Sequence, residues 1–463
     1  MNLYRFKKNA LVALLLSFMC MNVFGQQIEK QKPSTLKVSD ERFATVKALT
    51  NHGTFSYHLD NTGDLEVSGA LQTIFNELSA LKDVSATITF SPGVYFLDAP
   101  VVVKMASIKL IGHGHGGIDI HGANLESGTI FRFGKNTGPN CITFDYAGRS
   151  QAFPSGESPW DNQNLKVELE NLSFVGYNNT GVNTADGYSR FRGDEPNFRG
   201  LHWYPAKDRY QDIEKEGQRA IVLPKPTNDK GYAKCELLRV TGCYFTELYV
   251  AIEIADCDVS YINKNWFGQL TYGVRLHGNG QGMMVSDNLF ADMETALVLA
   301  KPIFSTFHNN TFAYLSKCFE IDNIVNSTIT GNAIYNWKIS TGAAAYGSFC
   351  YAKNSTNLNI SGNSITQFMD SRKRTRTTDT EPNGQSFIQF DNAKRLMFSN
   401  NIIHTLISQT VLRLHNSSDC VITDNIITYG ESGNAVAETG ACSNNFYRPI
   451  DPKDSAPFDK YKY

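Results

Sequence analysis

The chain has 463 residues, 43 Lys and Arg against 45 Asp and Glu, a formal net charge of −2, and 41% hydrophobic residues. A balance this close to neutral excludes bulk electrostatic capture by nucleic acid or anionic lipid, so any preference for a charged partner must be local. Length alone would suggest two or three domains.

At the N-terminus Lys7 and Lys8 precede an apolar run, Ala10 to Cys20, and Val23-Phe24-Gly25 offers small side chains at the two key positions of a signal-peptidase site. The run is too short to span a bilayer, so residues 1–25 read as a cleaved signal peptide. Phe18 and Met19 are bulky where a lipobox before Cys20 needs small residues. The mature chain is therefore expected in the periplasm, or alternatively secreted, where disulfides are permitted. No later segment is long and apolar enough to cross a membrane. Cys141, Cys235, Cys243, Cys257, Cys318, Cys350, Cys420 and Cys442 lack metal-site spacing and several fall within strands, so they read as buried small hydrophobes.

Residues 26–85 form an N-terminal region with a predicted helix at Ser68–Leu81 that caps the first coils of a repeat. That repeat spans residues 86–442. Its corner segments begin at Thr241-Gly242-Cys243 and continue through Asn263-Lys264-Asn265 and Ser286-Asp287-Asn288 to Thr423-Asp424-Asn425. From Cys243 through Asn265, Asn288, Asn310, Asn332, Asn363, Asn401 and Asn425 the position steps by 22, 23, 22, 22, 31, 38 and 24 residues. In step with it run apolar-x-apolar triplets such as Ile252-Glu253-Ile254, Val274-Arg275-Leu276 and Leu412-Arg413-Leu414, the signature of a strand with one buried face.

A unit of three short strands cannot bury its own apolar face, but stacked copies make one continuous core. The expected fold is all-β: a right-handed parallel β-helix, a pectate-lyase-like solenoid with an N-terminal cap. Asn is expected at the corner because it tolerates left-handed backbone and because stacked amides hydrogen-bond between coils. Insertions near Lys338–Ser348, Phe368–Ser386 and Tyr177–Gln218 map to flanking loops, a common place for binding residues. The last carries His202, Trp203 and Tyr204 and ends beside Arg219, all candidate substrate-binding residues. Residues 443–463, with Pro449, Pro452 and Pro457, read as an irregular tail.

The segment from Ser91-Pro92-Gly93-Val94-Tyr95 to Val103 and the run Gly112-His113-Gly114-His115-Gly116 resemble the opening coils of the inulin fructotransferases, secreted β-helix enzymes that form difructose anhydride. The repeats from Arg239 to Gly331 are similar coil by coil. The resemblance implies the same fold and a possible homotrimer. It also implies a pair of catalytic acids, one in an Asn-x-Asn corner and one in the next strand. Those positions read Lys264 and Arg275 here. Fructosyl transfer needs a carboxylate pair, which two bases cannot replace.

A pocket with inverted charge should take an anionic oligosaccharide or polysaccharide. Arg275 offers a planar fork for a carboxylate, Lys264 a base when buried near another cation, and His277 a proton donor or acceptor. Glu253, one coil below, would orient Arg275. These parts suit β-elimination on a uronate: cations acidify the C5 proton, a base removes it, and the C4 substituent departs. With a free C4 hydroxyl at a non-reducing end the reaction is a dehydration, as in the ulvan-oligosaccharide dehydratases of marine flavobacteria; with a sugar on C4 it is a polysaccharide lyase. A fructotransferase or glycoside hydrolase acting on a neutral glycan, and a non-catalytic glycan-binding solenoid, are the alternatives. No cofactor is expected. Asp322 and Asp391 share an outward column and are the alternative site for Ca2+, though they lack the roughly six to eight oxygens it takes.

Overall fold

The computed structural model describes residues 44–81, 84–114, 128–145, 165–177, 217–224, 235–338, 348–369, 386–404, 410–428 and 434–448. These residues coil as a right-handed parallel β-helix. Each coil runs along a first sheet, turns a corner, follows a bent path through a second sheet and turns back. The coil from Cys257 shows the pattern. Cys257–Asn263 lies in the first sheet, Lys264 and Asn265 make the corner, and Trp266–Leu276 lies in the second sheet. His277 to Asn279 then return the chain to Gly280 in the first sheet. Coils stack in parallel, so residues one repeat apart become neighbours: Glu253 opposes Arg275, which opposes Val298, which opposes Glu320.

The corner divides between two residues the tasks that the sequence pattern assigns to one. The left-handed residue is the one before the recurring Asn. It is Gly242, Lys264, Asp287, Asn309, Gly331, Gly362, Asn400 or Asp424, with φ between 55° and 66°. Glycine is frequent there because it meets no steric penalty at positive φ. The recurring Asn instead points inward and is buried. Asn310 Nδ2 donates to the carbonyl of Val285 at 2.9 Å and to Asn332 Oδ1 at 3.1 Å, and its own Oδ1 accepts from the backbone N–H and Nδ2 of Asn288. The same pattern runs from Asn265 to Asn425, with Cys243 taking its place at the start of the ladder. It passes unbroken across the 31- and 38-residue steps, so the insertions leave the coil register intact.

Inward side chains stack in columns. Phe245, Phe267, Phe290 and Phe312 lie nearly parallel with ring centroids 4.6 to 5.1 Å apart, the coil spacing itself. Seven of the eight cysteines among the described residues are buried. At the N-terminal end the parallel stacking gives way to an antiparallel pair, Ala44–Thr50 with Gly53–Leu59, the first of which also lies antiparallel to Ser85–Phe90. The helix Ser68–Ser79 buries Leu71, Ile74, Phe75 and Leu78. At the other end the last paired strand, Phe446–Tyr447, lies on Val421–Thr423.

Candidate functional site

Three consecutive coils bring four of the sequence-predicted residues together. Arg219 opens the strand Arg219–Leu223, Glu253 lies on Val250–Ile254, and Arg275 lies directly above Glu253 on the next coil. His277 follows two residues later, just past the strand end. Alternation along the strand buries Ile252, Ile254, Val274 and Leu276 and turns Glu253 and Arg275 outward.

Glu253 is the hub. Its Oε1 lies 2.5 Å from His277 Nε2. Its Oε2 lies 3.4 Å from Arg219 Nε and 4.0 Å from Arg275 Nε. Burial pushes the Glu253 carboxyl up, but the hydrogen bond from His277 and the charges of Arg275 and Arg219 outweigh it and hold the group below its ordinary value. An ionised carboxylate can only accept, so the Nε2 of His277 must donate. In the neutral imidazole that fixes the tautomer and leaves the lone pair on Nδ1. The carboxylate's Oε2 and the Nε of Arg275 are buried and make no hydrogen bond to one another. The attraction between them acts at ion-pair range.

The guanidinium groups rest on aromatic rings that sequence reasoning missed. Arg275 lies 4.9 Å from the ring centroid of Tyr272 and 5.8 Å from that of Tyr249, and Arg219 lies 5.6 Å from Tyr249. The signal was present as a repeat-spaced pair, because Tyr249 and Tyr272 stand 23 positions apart, in step with the coils. Such stacking holds each guanidinium plane in place, and Nη1 of Arg275 also donates to the Tyr249 hydroxyl at 3.5 Å.

Lys264 stands elsewhere. It occupies the left-handed corner at the opposite end of Trp266–Leu276, exposed, with φ 57°. Among the described residues no ion pair joins it to Glu253. His202, Trp203 and Tyr204 lie outside the described residues. The stems of their insertion do not: the buried Gln218 accepts from the backbone N–H of Tyr177 at 2.6 Å and donates to the carbonyl of Gly134 at 2.6 Å. The insertion therefore leaves and rejoins the coil beside Arg219. Asp322 and Asp391 do share an outward column, but Lys353 stands between them. Asp391 accepts from the hydroxyl of Tyr351 and Asp322 from Asn354. Among the described residues no group of three or more His, Cys, Asp or Glu is placed to hold a metal ion.

A sequence-family profile described as periplasmic copper-binding protein (NosD) matches residues 225–380. No curated protein matches the chain. Solved structures do. A mutant of DFA-IIIase from Arthrobacter chlorophenolicus A6 in complex with DFA-III aligns with a TM-score of 0.60 at 13% identity, covering 87% of this chain and 96% of that one. DFA-IIIase itself aligns with a TM-score of 0.59 at 12% identity over the same shares. The mannuronan C-5 epimerase A-module of Azotobacter vinelandii aligns with a TM-score of 0.49 at 11% identity, covering 84% and 97%. At these identities the likeness to DFA-IIIase establishes the parallel β-helix fold.

Proposed function

We propose that this chain is a carbohydrate-active lyase that performs β-elimination on uronate-containing oligosaccharides, with Arg219, Glu253, Arg275 and His277 as its centre. One observation carries the reading: two guanidinium groups share a single carboxylate. Among the described residues the cluster thus has one more positive charge than Glu253 compensates, on an outward face, with guanidinium groups that suit a second carboxylate.

In this reading the uronate carboxylate sits against Arg219 and Arg275, whose charge stabilises the electron density that develops when C5 loses its proton. Nδ1 of His277 takes that proton, and Glu253 stabilises the imidazolium that results. The C5–H electrons form the C4=C5 double bond and the C4–O bond breaks. The imidazolium returns the proton to the departing oxygen. A hydroxyl on C4 leaves as water, and a sugar on C4 leaves as a shortened glycan. Val222 precedes Glu253 in the same outward column and is only 5% exposed. A column covered on one side of the charged cluster suits a terminal sugar and favours the dehydratase form, as on ulvan-type oligosaccharides.

Fructosyl transfer is the alternative that the structural neighbours fit, and it needs a second carboxylate within about 9.5 Å of the first. The next carboxylate in the column of Glu253 is Glu320, three coils on. At about 4.7–4.9 Å per strand that is roughly 14 Å, and Glu320 is paired with Lys317 at 2.7 Å. Among the described residues no group of three or more His, Cys, Asp or Glu is placed to hold the copper named in the description of the matching profile. The profile's periplasmic description agrees with the signal-peptide reading of residues 1–25.

Mass spectrometry of ulvan and other uronate oligosaccharides after incubation tests the reading. Loss of one water from an intact chain supports a dehydratase, and an unsaturated fragment supports a lyase. An unchanged mass across the panel would refute both.

A further inference from the structure

Cys235 and Cys257 open successive strands of the first sheet, Cys235–Thr241 and Cys257–Asn263, and oppose one another in the parallel register. Both are buried, at 4% and 2% exposure. Adjacent strands lie about 4.7–4.9 Å apart, within the Cα separation of roughly 4.4–6.8 Å that a disulfide bridges. No other two cysteines share a ladder position among the described residues. We propose that the exported chain carries a Cys235–Cys257 disulfide, which staples the coil of Glu253 to the coil of Arg275. The bond rests on the export reading of residues 1–25 and is independent of the proposed reaction.

The Cys235 thiol donates to the carbonyl of Leu165 at 3.6 Å and the Cys257 thiol to that of Val259 at 3.3 Å, and burial pushes the Cys235 thiol well up. Exchange begins with the thiolate of either cysteine, for example Cys257. It attacks a sulfur of an oxidised dithiol partner, such as a thiol oxidoreductase of the export compartment, and forms a mixed disulfide. Cys235 then loses its proton and attacks the Cys257 sulfur. The Cys235–Cys257 bond forms and the partner leaves reduced, carrying the two electrons and two protons. Because both sulfurs are buried in the finished coil, this exchange belongs to folding, and the native bond is shielded from later reduction.

The staple has a place in the site's architecture. Cys257 lies four residues after Glu253, across the turn at Ala255 and Asp256, and Cys235 begins the strand that follows Arg219–Leu223 around the coil. A covalent tie at this turn limits sliding between the two coils whose side chains meet at 4.0 Å between Glu253 and Arg275.

The test uses the full-length protein exported to an oxidising compartment, denatured and alkylated without reductant, then mapped by mass spectrometry. The expected result is a linked pair of peptides containing Cys235 and Cys257, two hydrogens lighter than the reduced pair and separated by reductant, with the other six cysteines alkylated. Protein made in a reducing cytosol and refolded with oxidised glutathione should give the same link. Complete alkylation of Cys235 and Cys257 in both preparations, or linkage of either to another cysteine, overturns the proposal. A second readout needs no knowledge of activity. Reductant should lower the thermal unfolding midpoint of the linked protein and leave a Cys235→Ser/Cys257→Ser double variant unmoved. An equal drop in the double variant would contradict the staple.

Discussion

Glu253 and His277 stand on neighbouring coils and meet at 2.5 Å between Oε1 and Nε2, while the other oxygen of the same carboxylate faces Arg219 and Arg275. One side chain therefore sets the tautomer of a histidine and holds two guanidinium groups in register. Replacing Glu253 with Gln removes the charge and supplies a donor where an acceptor is required, which favours the wrong tautomer. Turnover is expected to fall about 100-fold or more. Steady-state kinetics on a uronate oligosaccharide check this, and near-wild-type turnover would remove Glu253 from the mechanism.

The same carboxylate gives stability a pH signature. Its folded value lies below its unfolded one, so the folded state binds fewer protons there. The contribution is fully present above the unfolded carboxylate value, about 4.3, and is lost as pH falls through the folded value. The melting-temperature advantage of wild type over Glu253→Gln should therefore be constant near neutrality and shrink on acidification below about pH 4. An advantage that grows with acid would contradict the assigned charges.

Arg219 and Arg275 should separate binding from geometry. Alanine at either is expected to lower kcat/KM by roughly 100- to 1,000-fold. Arg275→Lys should recover little of it, because a point charge lacks the fork and the stacking on Tyr272. Full rescue by lysine would mean that charge alone matters there.

Lys264→Gly distinguishes two assignments of the base. Gly242, Gly331 and Gly362 occupy the equivalent corner with φ 64° to 66°, so glycine at Lys264, with φ 57°, should preserve the fold. With His277 as base, turnover is retained. Abolished turnover in a folded protein would return the role to Lys264.

The amide ladder should carry much of the solenoid's stability. Asn310→Ala takes the side-chain partner from the buried backbone N–H of Asn288 and from the carbonyl of Val285, and one of two acceptors from Nδ2 of Asn288. Each such loss costs about 1–3 kcal/mol, so destabilisation of several kcal/mol is expected in denaturant titration. A change below about 1 kcal/mol would show that ordered water replaces the amide.

The solenoid was legible because its determinants are local and periodic. The Asn positions and the apolar triplets occur in every coil, and the register they imply is the one observed from Cys243 to Asn425. The stacking of Glu253 beneath Arg275 came from that register alone. What the sequence did not show is how far side chains reach across it. Arg219 pairs in register with Val250, and its guanidinium extends diagonally to Glu253. Tyr249 and Tyr272 read as ordinary strand aromatics in sequence, whereas in the fold two arginines lie over them. Lys264 stands in the corner just before the strand of Arg275, and the length of that bent strand, Trp266–Leu276, sets the two at opposite ends.

The most direct measurement compares a uronate-terminated oligosaccharide with the same chain after its carboxylates are reduced to alcohols. An excess of positive charge around Glu253 predicts an ultraviolet-absorbing unsaturated product from the first and none from the second. Equal turnover of both, or turnover of a neutral fructan alone, would contradict it.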